Sequence, residues 1–485
     1  MFLGIDIGTS GVKAVLLRED GSVAFQSAAP IDVSRPQPLW SEQDPEDWWA
    51  ATRAAVLAID AVSRSRVAGI GLAGQMHGAT LLGTDDRPLR PAILWNDGRS
   101  FAECAELEAI EPCSREITGN LAMPGFTAPK LAWVRKHEPA IFEQVGTVLL
   151  PKDYVRLRMT GEKASDMSDS AGTLWLDVAG RDWSDAMLAA TGLVRSQMPG
   201  LFEGCEATGR LRQEVANDWG MAQVPVVAGA GDNAAGAAGI GIISDGDALL
   251  SLGTSGVIFV ATDRLRANPE SAVHAFCHCL PGMWHQMAVH LSAASCVDWA
   301  MRQLGLARPE NLFALAREAG AASGPELFLP FLSGERTPHN DPHLRAGFLS
   351  LDNETTPGRL ACAVLEGVAF AHADGLDALR AAGTEVASLN VIGGGARSPY
   401  WGTILASVLG VPLHYLEGGE VGPALGAAKL AMMGVAGASA QEACTRPPTH
   451  ATIEPDPALT ARLAEKRYHF RAATAAIRAL SKGQA

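Results

Sequence analysis

The first residues able to do chemistry lie at the start of the chain, in a glycine-bearing turn that follows Asp6. Glycines at positions 8 and 11 allow backbone N–H groups to approach an anion closely, and the hydroxyls of Thr9 and Ser10 lie between them. A carboxylate such as that of Asp6 can hold the hydrated magnesium ion that accompanies nucleotide phosphates. The Gly-Lys-Ser/Thr of a Walker loop is absent, so a plain hairpin with a polar turn is the alternative.

The tetrapeptide Gly-Thr-Ser-Gly occurs twice, at residues 8–11 and again at residues 253–256. Each copy lies between two apolar runs, a pattern typical of a β-hairpin. Two facing hairpins could clamp a row of phosphates from both sides. The repeat therefore predicts two related halves with the second beginning near residue 245, and we divide the protein into domains 1–243 and 244–485.

A second candidate is Asp232, which follows an apolar, strand-like run that ends in glycines. This order places a carboxylate at the sheet edge where ligands of α/β proteins collect. An aspartate is ionised at pH 7 unless it is strongly desolvated, and it can accept the proton of a hydroxyl group. The alternative is that Asp232 only caps the N-terminus of a helix, which aspartate often does.

Two further segments contain groups suited to small ligands. Gln-Met-His-Gly at residues 75–78 follows a predicted strand, and Trp-Asn-Asp-Gly-Arg begins at Trp95; such side chains suit a polyhydroxylated substrate. The alternatives are a structural role for His77 and core packing for Trp95. Three glycines at residues 393–395 follow another predicted strand, where a flat adenine or ribose could lie against the backbone. A tight strand-to-helix turn explains these glycines equally well.

A cluster of histidines and cysteines at residues 274–279 suggests a zinc site at first sight. The ligand spacing of structural zinc sites is missing, however, and free cysteine is common in protein cores. These residues are therefore predicted to lie in the core or in a hairpin.

Composition narrows the classes of protein. The net charge of −14, from 39 basic and 53 acidic residues, argues against a nucleic-acid or anionic-membrane surface. No apolar stretch reaches the roughly 20 residues of a membrane span, and no signal peptide is evident, so a cytoplasmic protein is expected. The eight cysteines form no disulfide pattern. The 51 glycines are dispersed, which indicates turns and close backbone contacts and excludes a low-complexity sequence.

The hydrophobic pattern predicts strands alternating with helices, and therefore an α/β fold with covered sheets. Strands are predicted at residues 67–73, 145–150, 224–228 and 388–392. Helices are predicted at residues 44–61, 357–382 and 398–409. An amphipathic helix at residues 457–480 is expected to lie on the second domain.

Taken together and in this order, the motifs resemble those of the FGGY carbohydrate kinases along nearly the whole chain. Residues 125–137 resemble the first signature of that family in full. Residues 346–366 match the second signature imperfectly, because Ser350 occupies the place of a usual glycine and Arg359 that of an acid, amide or histidine.

The resemblance implies two actin-like, ribonuclease-H-type α/β domains with an interdomain cleft, the sugar lying mainly on the first domain and ATP mainly on the second. It places Asp6 near Mg²⁺ and Asp232 as the catalytic base. Sugar contacts are implied for Met76, His77 and Asn233. ATP contacts are implied for Thr9, Ser10, Lys13, Thr254, Gly394, Gly395 and Ala396.

By the same resemblance, Gln-Met-His-Gly is similar to the form found in members that phosphorylate D-xylulose, whereas polyol kinases have Arg-Glu where Met76 and His77 lie. The expected activity is ATP-dependent phosphorylation of D-xylulose to D-xylulose 5-phosphate. The alternatives are a kinase of another ketose or a pentitol, and a non-catalytic actin-like regulator that binds sugar or nucleotide. The family also suggests a homodimer, with no nucleic-acid or membrane partner.

Overall fold

A computed structural model describes residues 1–417 and 422–482 of the chain. Its elements fall into two halves that each contain a mixed sheet. In the first half the strands are β1 Phe2–Ile7, β2 Gly11–Leu17, β3 Val23–Pro30, β4 Glu42–Gln43, β5 Gly69–Gly74, β6 Thr80–Leu82, β7 Ala92–Ile93, β8 Thr147–Leu149, β9 Ala164–Asp166, β10 Leu176–Asp177, β11 Asp182–Trp183, β12 Gly200–Phe202, β13 Ala207–Arg210, β14 Pro225–Val227 and β15 Ala230–Gly231. Its helices are α1 Pro45–Leu57, α2 Ala61–Arg64, α3 Phe101–Ile110, α4 Ser114–Thr118, α5 Thr127–His137, α6 Pro139–Phe142, α7 Pro151–Thr160, α8 Met167–Ala171, α9 Asp185–Thr191, α10 Gln213–Trp219 and α11 Asp232–Gly239.

The second half has fewer but longer elements. Its strands are β16 Ala248–Leu252, β17 Gly256–Thr262, β18 His274–Cys277, β19 Trp284–His290, β20 Leu327–Leu329, β21 Gly347–Leu349, β22 Leu389–Ile392, β23 Leu413–Leu416 and β24 Thr449–Ile453. Its helices are α12 Ala294–Gln303, α13 Pro309–Ala319, α14 Pro357–Ala381, α15 Pro399–Leu409, α16 Gly422–Ala436, α17 Ala440–Ala443 and α18 Pro457–Lys482.

The two large sheets share one strand order. In the first, β1 and β2 form an antiparallel hairpin that continues into antiparallel β3, and β5 and β14 follow in parallel on the other side of β1. In the second, β16 and β17 form the hairpin, β19 continues it, and β22 and β23 follow in parallel. The predicted α/β class and the two related halves are therefore confirmed. The boundary at 243/244 remains a prediction.

Both faces of the first sheet are covered, which explains why its central strand has no polar alternation. Leu3 and Ile5 pack with Trp48 of α1 on one face, while Phe2 packs with Ala424 of α16 on the other. Strand residues alternate between the two faces, so a strand buried on both sides is largely apolar, and Asp6 near the end of β1 is its one charged residue.

Helix α16 comes from the second half but lies on the first sheet, and glycine makes this contact possible. A Cβ atom at Gly4 would lie 1.8 Å from the carbonyl oxygen of Ala424, and one at Gly71 would lie 1.9 Å from that of Ala427. Backbone therefore packs directly on backbone where the halves join. This contact accounts for part of the glycine excess.

Most predicted elements appear within a few residues of their predicted bounds. The helix predicted at 44–61 is shorter, because α1 ends at Leu57 and a separate turn of helix begins at Ala61. Its predicted start is confirmed: Asp44 accepts a hydrogen bond from the Glu46 N–H and proline follows at the first helical position. The C-terminal helix α18 packs against α14 and α15, as expected.

The two departures in the second signature have structural explanations. Ser350 has a φ of 60°, a left-handed conformation that glycine adopts at lower cost. Arg359 forms an ion pair with the buried Glu326, with 2.7 Å between the guanidinium and a carboxylate oxygen. Among the helices of the described residues, none is long and apolar enough to cross a membrane.

Candidate active site

Three neighbouring parallel strands bring the candidate residues of the first half to one edge of the sheet. Ile7 of β1 lies beside Gly74 of β5, and Gly74 lies beside Gly231 of β15. The hairpin turn at 8–11, the loop that begins at Gln75 and the helix that begins at Asp232 all follow these carboxyl ends. Ligands of parallel α/β sheets collect at this edge.

Polar side chains fix the first hairpin turn. The Thr9 hydroxyl donates to Gln75 Oε1 at 3.0 Å and accepts from Trp95 Nε1 at 2.9 Å. The Thr9 carbonyl accepts a hydrogen bond from Gln43 Nε2 at 2.7 Å. Because the hydroxyl hydrogen of Thr9 is engaged and the Gly8 N–H donates to the Gly11 carbonyl at 3.1 Å, the exposed Ser10 is the residue of this turn best placed to meet a phosphate.

Asp6 is a buried carboxylate without a full set of partners. It lies opposite Lys13 on the antiparallel hairpin, so both side chains are on one face, and the lysine is exposed. Asp6 is only 7 % exposed, and among the described residues its Oδ1 atom has no hydrogen-bond partner. Burial and the nearby charge of Asp232 raise the pKa of Asp6 to about 7, against the opposing effect of Lys13.

The environment of Asp6 suits a divalent cation. Hard cations prefer carboxylate oxygens, and a bound cation would relieve both the missing hydrogen bond and the repulsion from Asp232. The residues present therefore fit the magnesium ion that the resemblance implies.

Asp232 is the first residue of α11, and Gly231 is the N-cap. The alternative that Asp232 serves only as the helix cap is therefore wrong. One carboxylate oxygen accepts from the backbone N–H of Asn233 at 2.7 Å and from its side-chain Nδ2 at 2.8 Å. Burial raises the pKa of Asp232 to about 6, although these hydrogen bonds oppose the shift. The carboxylate is thus mostly ionised at pH 7 and more basic than an ordinary aspartate.

A buried ionic cluster lies behind the Asp232 loop. Lys152 Nζ lies 2.8 Å from Asp153, 2.9 Å from Asp166 and 3.0 Å from Asp169, all of them inaccessible to solvent. Asp166 accepts hydrogen bonds from Ser168, whose hydroxyl oxygen accepts the Gly231 N–H at 3.1 Å. This cluster fixes the residue that precedes Asp232, and sequence reasoning did not single it out.

The contacts of His77 determine which of its two ring nitrogens can accept a hydrogen bond in the site. Its Nδ1 lies 2.6 Å from the Gly172 carbonyl, so Nδ1 carries the proton and Nε2 is free to accept. Burial and the positive charge of Lys130 lower the pKa of His77 to about 3, which keeps the imidazole neutral. Lys130, within the first signature, donates to the carbonyls of His77 at 2.8 Å and Gly125 at 2.7 Å. The signature therefore holds the loop that contains His77.

A cavity of about 190 Å³ joins these residues to the second half. It is lined by the predicted residues Met76, His77, Asp232 and Asn233, by Ser255 of the second hairpin and by Trp95, Met123, Gly125, Phe126, Val257, His274, Met287, Val289 and Arg336. The packing alternative for Trp95 is wrong, since this residue is 41 % exposed and lines the cavity. Arg336 was not predicted from the sequence, and no local motif marks it.

The second hairpin is held by its backbone. The Thr254 carbonyl accepts the Ala293 N–H at 2.9 Å, and the Gly253 carbonyl accepts the Ala294 N–H at 2.9 Å, just where α12 begins. The Thr254 side chain is exposed. These two backbone hydrogen bonds at the start of α12 hold the turn in place, and the side of the turn with Thr254 is exposed to solvent.

The glycine turn lies beside the second hairpin. Ser251 of β16 pairs with Ile392 of β22, so the turn at 393–395 follows the neighbouring parallel strand. Gly393 has a φ of +93°, and a Cβ there would lie 2.7 Å from the Leu252 carbonyl oxygen. Gly394 faces open space, while Gly395 lies against Leu252. Ala396 continues this turn in a short 3-10 helix, and its side chain is outside the described part of the protein.

The histidine and cysteine cluster at 274–279 is largely core, as predicted. His274 and Cys277 are buried at the two ends of β18, and Cys279 is buried beyond it. Among the described residues, no group of three or more His, Cys, Asp or Glu side chains could hold a metal ion. His274 differs from its neighbours in facing the cavity.

Comparison with protein families assigns both halves. The N-terminal domain of the FGGY family of carbohydrate kinases matches residues 1–239, and the C-terminal domain of that family matches residues 248–435. The chain belongs to the FGGY family of carbohydrate kinases. As an FGGY kinase, it uses ATP and a sugar as substrates.

Several FGGY kinases are similar to this chain over most of its length. The xylulose kinase of Escherichia coli strain K12 is 60 % identical over 434 residues, which are 89 % of this chain and 90 % of that protein. The xylulose kinase of Klebsiella pneumoniae is 56 % identical over 97 % of this chain and 98 % of its own length. The crystal structure of a xyloylose kinase from Brucella ovis matches with a TM-score of 0.95 and 52 % identity over 99 % of both chains.

Proposed function

We propose that this carbohydrate kinase transfers the γ-phosphoryl group of ATP to the terminal hydroxyl of D-xylulose and so forms D-xylulose 5-phosphate. The observation that supports the proposal most strongly is the meeting of Asp232 and His77 in one small cavity, beside the hairpin that contains Asp6. The identity with xylulose kinases over nearly the whole chain supports the choice of sugar.

Asp232 acts as the general base. Its pKa of about 6 leaves it ionised at pH 7 and able to accept the hydroxyl proton as oxygen attacks phosphorus. Asn233 fixes one carboxylate oxygen, which leaves the other for the substrate. His77 accepts a sugar hydroxyl at Nε2, because its Nδ1 is committed to Gly172. Met76 covers apolar surface of the sugar.

Phosphoryl transfer depends mainly on positioning and charge stabilisation. Asp6 would hold Mg²⁺, which when bound neutralises negative charge on the phosphates. Lys13, exposed on the same face as Asp6, interacts with the β- and γ-phosphates. The backbone of the first turn, with Thr9 and Ser10, meets the same phosphates. These groups provide positive potential at the phosphates, although the protein as a whole has a net charge of −14.

The second half binds the nucleotide. Thr254 meets the phosphates from the opposite side, and the turn with Gly394, Gly395 and Ala396 borders the adenosine, where an open glycine surface accepts a flat ring. We place the boundary between the sugar domain and the ATP domain at 243/244. Because the cavity is lined from both halves, closure of the domains on bound sugar would exclude water and limit ATP hydrolysis.

A panel of sugars tests the proposal. ADP release would be measured by a coupled assay with D-xylulose, D-ribulose, D-fructose, xylitol, D-arabinitol and glycerol. We expect kcat/KM for D-xylulose to exceed that for every other sugar by at least tenfold. A larger value for another ketose or a pentitol would assign a different substrate within the family. The absence of sugar-stimulated ADP release would favour a non-catalytic regulator.

A further inference from the structure

D-xylulose can react in only one of its forms, and that form has a ketone oxygen to which neither Asp232 nor His77 donates a hydrogen bond. A five-carbon 2-ketose closes its furanose ring through O5, the oxygen that the proposed reaction phosphorylates. In the ring form O5 is bonded to C2 and has no proton to lose. The reacting sugar must therefore be the acyclic form, in which C2 is a free ketone. This reasoning rests on the function proposed above.

An arginine of the second half faces the cavity without a carboxylate partner among the described residues. Arg336 lines the same cavity as Asp232 and His77, and no ion pair of its guanidinium is found in residues 1–417 and 422–482. Its side-chain neighbour is His274, with 3.4 Å between Arg336 Nη1 and His274 Nε2. A guanidinium is always charged and offers five N–H donors, of which one weak contact to a neutral imidazole uses only one.

The backbone that carries Arg336 is fixed on both sides. Buried Glu335 accepts the backbone N–H of Arg336 at 2.8 Å and that of Leu291 at 2.9 Å. Thr337 donates its own N–H to the Val289 carbonyl at 3.0 Å and accepts the Val289 N–H at its hydroxyl at 3.0 Å. These hydrogen bonds connect the loop to β19, so the Arg336 side chain extends into the cavity from a rigid backbone.

We propose that Arg336 donates hydrogen bonds to the C2 carbonyl oxygen of acyclic D-xylulose and thereby makes the site selective for the ketose over the corresponding pentitols. A ketone oxygen is only an acceptor, so a cation with spare donors suits it. The Asp232 carboxylate and neutral His77 accept hydrogen bonds from hydroxyls, and the Asn233 amide already donates to Asp232 at 2.8 Å, so Arg336 is the one cationic donor among the residues that line the cavity. A site that hydrogen-bonds one functional group discriminates strongly against analogues that lack it.

The test compares D-xylulose with xylitol and D-arabinitol, the two alcohols formed by reduction at C2, which leaves C3 to C5 unchanged. In Arg336→Gln we expect kcat/KM for D-xylulose to fall by about 10- to 100-fold, the range for loss of a charged hydrogen bond. The pentitols should change by less than about threefold, so the preference for the ketose largely disappears. Pentitols that are not turned over are measured as competitive inhibitors, and their inhibition constants should change as little.

Two further variants control the experiment. Arg302→Gln removes an exposed arginine of α12 and should leave both substrates unchanged. Arg336→Lys keeps the charge and should retain part of the preference for D-xylulose, and it serves as the test if the glutamine variant does not fold. Equal losses for ketose and pentitol would overturn the proposal in favour of a phosphate contact, and unchanged kinetics would also overturn it. A wild-type protein inactive on D-xylulose would instead refute the proposed function.

Discussion

The two hairpins share the sequence Gly-Thr-Ser-Gly and the same place in two sheets of the same strand order, yet their chemistry differs. Two residues before the turn, the first hairpin has Asp6 and the second has Ser251; two residues after it, the first has Lys13 and the second has Ile258. The first turn is held by side chains of Gln75 and Trp95, whereas the second is held by backbone bonds to α12. The repeated backbone thus supports charged groups in only one copy.

The turns that follow the neighbouring parallel strands show the same contrast. The turn after β5 contains Gln75, Met76 and His77, whose side chains contact the first hairpin or line the cavity. The turn after β22 is three glycines, with Gly394 open to solvent. Under the proposed function, the same topology therefore offers specific side chains to a small sugar in one half and a flat backbone surface to a nucleotide in the other.

The largest expected effect comes from Asp232, because the proposed mechanism gives proton transfer to the first half alone. Asp232→Asn keeps size and helix position but removes the base, and kcat with D-xylulose should fall by about 10²- to 10⁴-fold. Nucleotide affinity, measured by calorimetry, should stay within about threefold. The matched control is Asp185→Asn, at the first position of α9 on the surface, which should be neutral. Turnover within tenfold of the wild-type value would remove Asp232 from the mechanism.

The second-largest expected effect is a difference in kcat between a substitution in the first hairpin and one in the second. Asp6→Asn should lower kcat by about 10²- to 10³-fold, the usual result of removing one electrostatic stabiliser of the reacting groups. Ser251→Ala, at the equivalent place in the second hairpin, should change kcat by less than about threefold. Steady-state assays over a range of magnesium concentrations would measure both. Similar losses in the two variants would mean that the hairpins share the charge stabilisation equally.

Without bound metal, the pH dependence of the free energy of unfolding should also differ between the two hairpins. The folded pKa of Asp6 is raised to about 7 from an ordinary value of 3.8, so the folded state binds this proton more tightly than the unfolded state. Stability is therefore lost as the pH rises from about 4 to about 7, is unaffected by this group below that range and loses nothing more from it above that range. In EDTA, Asp6→Asn should raise the free energy of unfolding by a few kcal/mol at pH 8 and much less at pH 5. Denaturant titrations should find no such pH dependence in Ser251→Ala.

The smallest effect concerns how each turn is held. Thr9→Val removes two hydrogen bonds and leaves the buried Gln75 oxygen without the Thr9 donor, which should cost about 1–2 kcal/mol of unfolding free energy. Thr254→Val replaces an exposed hydroxyl and should stay within about 0.5 kcal/mol. Urea unfolding of the two variants side by side would measure the difference. Equal destabilisation would show that the turns are supported alike.

Local sequence patterns predicted the parts of this molecule that depend on local rules. The duplicated turn predicted two related hairpins, and hydrophobic periodicity placed the long helices such as α14 within a residue or two. Strand ends followed by polar residues marked Asp232 and His77 as candidates, and both line the cavity because the topology of parallel strands brings such ends together.

Other features depend on contacts between distant segments, which no local pattern encodes. Arg336 lies 259 residues after His77 in the sequence, and only the packing of the halves places both in one cavity. The exposure of Trp95 follows from the position of the first hairpin, since its indole N–H donates to Thr9. The buried Lys152 cluster likewise could not be predicted from the sequence, because its members are ordinary charged residues separated by up to 17 positions.

In the proposed function, a ketose in the cavity between the halves receives the γ-phosphoryl group of ATP. The most direct measurement incubates the wild-type protein with ATP, magnesium and D-xylulose, and quantifies ADP and sugar phosphate by ³¹P NMR. We expect one sugar 5-phosphate for each ADP and little ADP when the sugar is omitted. ADP formed at the same rate without sugar, or with no sugar phosphate to match it, would refute the transfer of phosphate to the sugar.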